Sequence, residues 1–148
     1  MDKRTEIISK LRDAKMSHLT WKSYAHLISK GVLTDASGNI TPIVPTMCEF
    51  GKWYYREGVV LSRLKSYQDI ELPHNKIHET YAQIYALKDS ELKTGFFTGK
   101  KKAEEHRSKE IDELLKVMDN YVEIIINNLA RLEEDVNNMS NIQIESLR

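Results

Sequence analysis

The sequence predicts an all-α protein: an up-down four-helix bundle with a short extra helix carrying a cysteine motif, and a long C-terminal helix. Three observations carry that expectation. Gly (6) and Pro (3) are scarce among 148 residues, so few turns are encoded. Apolar residues recur at steps of four and three over long stretches, which keeps one helix face inward. Hydrophobic residues make up 41% of the chain, enough for a packed core.

Residues 3–30 hold the first stripe, Ile7, Leu11, Ala14, His18, Trp21, Ala25 and Ile28, and Gly31 supplies a helix stop. The neighbouring stripe, Arg12, Lys15, Leu19, Lys22 and His26, is mostly charged and is expected to face solvent. His18 and His26 are therefore unequal: the second stands roughly 80° around the helix from the first. Residues 32–46 break the pattern. Thr34-Asp35-Ala36-Ser37-Gly38-Asn39 is turn chemistry, and Pro42 and Pro45 forbid a regular helix, so a loop with at most a short extended pair is expected.

Residues 47–57 read as a short helix capped by Thr46 and closed by Gly58, with another short piece over 61–67. Pro73 suits the first turn of the next helix, which runs to about residue 87. Its row is His74, His78, Tyr81 and Tyr85, with Ile77 and Ile84 beside it. After Thr94-Gly95-Phe96-Phe97-Thr98-Gly99 comes the last helix, about 100–140. Its stripe runs Ile111, Leu115, Met118, Val122, Ile125, Leu129, Leu132, Val136, Met139. At ~1.5 Å per residue it is roughly 60 Å long, so its C-terminal part is expected to outrun the bundle or pair with another chain.

Composition excludes several classes. Lys+Arg and Asp+Glu each total 22, so no basic excess exists to hold nucleic acid. A single Cys rules out an internal disulfide framework. No transmembrane span and no apolar leader after Met1-Asp2-Lys3-Arg4 is read, so a single cytoplasmic domain over 1–148 without membrane insertion is expected. There is no Gly-rich phosphate loop and no arguable Ser/His/Asp set, so a non-enzyme is expected.

The chemistry gathers in three places. His74 and His78 stand one turn apart on one helix face, where both imidazoles reach a single metal ion. Two surface histidines are the plain alternative. Cys48 sits at a helix N-terminus, which favours thiolate, although a lone Cys is more often a buried small hydrophobe. His18 lies on an otherwise apolar stripe, where a core His satisfied by a backbone carbonyl is equally ordinary. Together they offer three nitrogens and one soft sulfur, a set that suits tetrahedral Zn²⁺. His26 and His106 lie in charged surroundings and are expected to be solvated, Lys100-Lys101-Lys102 to be a solvated helix start, and Trp21 and Trp53 to be packing. A di-iron or oxygen-binding bundle would need several inward carboxylates and paired Glu-x-x-His units, and only Glu71-Leu72-Pro73-His74 has that spacing. A metal-free helical adaptor is the third reading.

Three segments resemble the chemoreceptor zinc-binding domain, a bacterial helical-bundle family: Ala14-Lys15-Met16-Ser17-His18-Leu19-Thr20-Trp21-Lys22, Cys48-Glu49-Phe50-Gly51-Lys52-Trp53-Tyr54 and Pro73-His74-Asn75-Lys76-Ile77-His78. They match the family's His-bearing first helix, its Cys-x-Phe/Leu-Gly-x-Trp box and its His-x-x-x-His helix, a core motif over about 14–82. The resemblance implies His18, Cys48, His74 and His78 as zinc ligands and a regulatory role in chemotaxis or cyclic-di-GMP control. It further implies a response to zinc or to oxidation of Cys48 by hypochlorous acid or related oxidants, and a homodimer. Family members usually accompany a chemoreceptor signalling module or a diguanylate cyclase. This sequence carries neither, so either a stand-alone member or one whose output lies on such a partner is expected.

Overall fold

The computed structural model describes residues 1–33, 44–90 and 99–148, and every regular element among them is helical. The loop expected over 32–46 and the turn at 94–99 fall mostly outside the described residues. The first helix, α1 (Lys3–Ser29), buries all seven stripe residues, His18 among them. Asp2 caps it by accepting from the Thr5 N–H, and Gly31 follows at φ +72°, a left-handed conformation open to glycine.

The cysteine segment differs from expectation. Pro45–Met47 forms a 3₁₀ turn, and Cys48 is extended (φ −75°, ψ 153°). The helix therefore starts two residues later, as α2 (Glu49–Tyr54), and its cap is the Cys48 sulfur rather than Thr46. Gly58 does not close that helix. It lies buried within a second 3₁₀ turn, Glu57–Leu61, with the Trp53 ring 3.1 Å from where a Cβ would sit. A short helix, α3 (Lys65–Gln68), leads into α4 (Glu71–Asp89), where Pro73 occupies the first turn as predicted.

The last long helix, α5 (Lys100–Asn138), packs against both α1 and α4. Arg12 pairs with Glu133 and His26 with Asp119, so α1 and α5 run antiparallel. Asn128 donates to the Asp69 carbonyl and Arg107 to that of Ser90, so α4 is antiparallel to α5 too. The two ascending helices, α1 and α4, are consequently parallel, and Lys88 reaches the Ser29 carbonyl between them. The second, descending wall of the bundle is the run of short turns from residue 45 to 68, which starts beside His74 and ends where Ser66 bonds Asp135.

The α5 stripe is buried by this chain itself from Ile111 to Val136, so its length does not call for a second copy. The far end is closed by α6 (Asn141–Ser146), which the sequence reading missed. A Ser140/Gln143 capping box starts it, and Ile144 is buried. Arg4 donates to the carbonyls of Val136 (2.6 Å), Asn137 (2.9 Å) and Met139 (2.7 Å) around the end of α5, where acceptors lack full intrahelical pairing. Arg4→Ala should lower stability by about 1–2 kcal/mol in urea unfolding. Arg12→Ala, which breaks only an exposed pair with Glu133, should leave the midpoint unchanged.

Candidate metal centre

Where α1, α2 and α4 meet, donor atoms of His18, His74 and His78 all lie within 4.8 Å of one another. All three rings are 0% exposed. Cys48 joins them through His74: its Sγ stands 3.3 Å from His74 Nε2, which is 3.2 Å from His78 Nε2. The four predicted residues are thus at one place. His26 and His106 are elsewhere. His26 Nε2 meets the Asp119 carboxylate at 2.9 Å across α1 and α5 with its side chain still partly exposed, and His106 is exposed on α5.

Each side chain is held by a specific local device. His18 Nδ1 is 2.6 Å from the Ala14 carbonyl one turn earlier. A carbonyl only accepts, so the proton is on Nδ1 and Nε2 carries a bare lone pair. That Nε2 is buried without a hydrogen-bond partner, as is His74 Nδ1. Trp21 sets its ring 4.6 Å from that of His18 and 5.1 Å from that of His78. Phe50 stands edge-on to His18 at 5.8 Å and to His74 at 5.2 Å. Trp53 packs one layer out, against Phe50.

The sulfur is fixed from two sides. The Gly51 N–H donates to Cys48 Sγ at 3.2 Å, and the Cys48 thiol faces the Pro45 carbonyl at the same distance. That carbonyl folds so closely over α2 that a Cβ on Gly51 would lie 1.9 Å from its oxygen. The glycine of the Cys-x-Phe-Gly sequence is therefore required by close approach, and the hairpin it permits aims Cys48 inward.

Electrostatically the site resists protons. Burial pulls His18 down to about 4, opposed by its bond to Ala14, and pulls His74 down to about 2, aided by the charges of its two imidazole neighbours. Burial also pushes the Cys48 thiol up, and outweighs the backbone N–H groups of Gly51 and Phe50. The helix-terminus argument for thiolate is thus correct in its geometry and overruled by desolvation in the metal-free chain.

These donors fit a zinc ion. Atoms bound to one tetrahedral zinc at ~2.0–2.3 Å stand roughly 3.3–3.7 Å apart, close to the Cys48–His74 and His74–His78 separations. The bare His18 nitrogen is a donor lacking an acceptor. Residues 18–85 match the family model of the chemoreceptor zinc-binding domain. The match bears out, over those residues, the resemblance read from the sequence. It begins at His18 and contains Cys48, His74 and His78. No curated protein and no solved structure matches the chain. Among the described residues no helix is long and apolar enough to cross a membrane.

Sequence reasoning missed the groups that orient the donors: the Ala14 and Pro45 carbonyls and the Gly51 N–H. The first and last follow from helix and cap geometry once His18 and Cys48 are placed. The Pro45 contact had no signal beyond the glycine itself. Gly51→Ala should displace the Pro45–Met47 turn, destabilise the chain by about 1–3 kcal/mol and weaken metal binding, as read by thermal melting with and without zinc.

Acid provides a second check on the metal-free chain. A histidine whose folded pKa lies below its unfolded value binds fewer protons when folded, so stability is full above pH ~6.5 and falls as pH drops through the window to about 4. The metal-free protein should lose stability across that window. An unfolding midpoint in urea that stays flat from pH 7 to 4.5 would show the imidazoles to be accessible.

Proposed function

We propose that this chain is a zinc-binding regulatory domain of bacterial signalling, in which His18, Cys48, His74 and His78 hold one structural Zn²⁺. The observation that carries the reading is the convergence of three fully buried imidazoles, one with a bare nitrogen, on a buried sulfur. A core with no metal task would not leave nitrogens of His18 and His74 buried without partners beside a buried sulfur, since each unpaired polar atom costs about 1–3 kcal/mol. The donor set has no carboxylate among the described residues, which disfavours the di-iron alternative.

Bound there, zinc supplies a positive charge that holds the thiolate and three neutral imidazoles together. Four protein donors leave no open position for water or substrate, so the role is regulatory rather than catalytic. The protein's own part is mechanical: His18 belongs to α1, Cys48 to the segmented wall, and His74 and His78 to α4. Occupancy ties three walls together, and loss of the ion frees the cysteine segment and changes the surface offered to a partner.

A chemoreceptor or a diguanylate cyclase is the output in this reading, on the strength of the family alone, and a homodimer is proposed on the same ground. Oxidation of Cys48 is a second input. The sulfur-bearing residue is only 1% exposed, whereas Met16 and Met47 are 62% and 61% exposed. An oxidant therefore reaches it only when the cysteine segment lifts away from α4, and zinc occupancy is the primary signal.

Metal analysis of protein purified without an affinity tag tests this directly. One zinc per chain is expected. His18→Ala, Cys48→Ala, His74→Ala and His78→Ala should each lower affinity by at least tenfold, whereas His26→Ala and His106→Ala should keep it. Undiminished zinc affinity in Cys48→Ala would remove the proposed ligand set.

A further inference from the structure

Cys48 is the one donor of the proposed site that does not sit on a long helix, so something else must set its position. The residues that do so lie at the opposite end of α2. Tyr54 and Tyr67 face each other with rings 4.2 Å apart and 8° from parallel. The Tyr54 hydroxyl donates to the Tyr67 carbonyl at 2.9 Å, and the Tyr67 hydroxyl donates to the Tyr54 carbonyl at 2.5 Å. Both residues are buried, at 3% and 6% exposed. Tyr54 is the last residue of α2, so its carbonyl is one of those that a helix end leaves without a partner inside the helix. The clasp satisfies it with the hydroxyl from α3.

The clasp joins the site to the bundle on both sides. Phe50 touches the His18 and His74 rings and also stands 5.6 Å from the ring of Tyr54. Beyond the clasp, Ser66 bonds Asp135 and the Asp69 carbonyl accepts from Asn128, both on α5. Helix α2 is six residues long and cannot hold a fixed height on its own hydrogen bonds.

We infer that Tyr67, through its reciprocal clasp with Tyr54, is a positioning residue that sets the height of α2 and so brings the Cys48 sulfur to His74. The inference rests on the zinc-site reading above and adds what orients its sulfur. Removing the Tyr67 hydroxyl leaves the Tyr54 carbonyl buried and unpaired, and α2 moves to find water for it.

The test uses the whole 148-residue chain and Co²⁺ alone, whose thiolate-to-metal charge-transfer absorption in the near ultraviolet reports the sulfur specifically. Tyr67→Phe should bind Co²⁺ about tenfold more weakly than the parent and lose much of that absorption. In a Cys48→Ala background, where three imidazoles remain, adding Tyr67→Phe should change Co²⁺ affinity by less than twofold. Equal weakening with and without Cys48 would mean that Tyr67 merely supports the fold, and overturns the inference. A Tyr67→Phe chain with unchanged affinity and absorption overturns it as well, while leaving the zinc-site reading intact. A parent protein without thiolate absorption overturns both. Tyr54→Phe supplies an independent variant should Tyr67→Phe fail to fold: it removes a bond to a carbonyl that the Ile70 N–H also serves, so a smaller loss in the same direction is expected.

Discussion

The architecture turns on the desolvation of three imidazoles. His18, His74 and His78 occupy positions on α1 and α4 that would otherwise hold leucine or isoleucine, and the stripes on either side of them are continuous. Burying a neutral imidazole is tolerable when both nitrogens are served and costly when one is not. Here the Nε2 of His18 has no hydrogen-bond partner, and its lone pair is bare because Nδ1 holds the proton against the Ala14 carbonyl. Proton binding, the usual escape, is blocked by the same burial. The core therefore contains a demand for an electron-pair acceptor, and the packing of Trp21, Phe50 and the cysteine segment serves to keep water from supplying one.

That constraint accounts for features that look unrelated in one dimension. Gly51 must lack a side chain so that the Pro45 carbonyl can close over the sulfur. Trp21 follows His18 by one turn because its ring covers both His18 and His78. The parallel course of α1 and α4 puts His18 level with His74, and it requires a descending wall between them in the chain. The short turns over 45–68 are that wall.

Much of this was legible in the sequence, for identifiable reasons. The stripes of α1 and α5 announce their own helices, and the structure buries Ile7 to Ile28 and Ile111 to Val136 as the spacing says. The i,i+4 pair on α4 and the cysteine motif signalled one site before any fold was known. What stayed hidden depends on contacts distant in sequence. Cys48 rather than Thr46 caps α2 because the backbone stays extended one residue past the 3₁₀ turn. The α5 stripe reads as too long only until α6 and Arg4 close its end. The rise of the Cys48 pKa follows from burial, which no residue pattern near a helix terminus reveals. The Tyr54–Tyr67 clasp spans thirteen residues and has no motif.

The segmented wall has a mechanical consequence. Three sides of the bundle are continuous rods of 27, 19 and 39 residues, and rods of that kind resist bending. The fourth is a chain of stubs joined by turns, whose backbone hydrogen bonds close single turns rather than one unbroken rod. Its stiffness comes from outside itself, at the sulfur at one end and the stacked tyrosines at the other. The atom whose bonding chemistry can change thus lies at one end of the only side of the described bundle that is not a single rod.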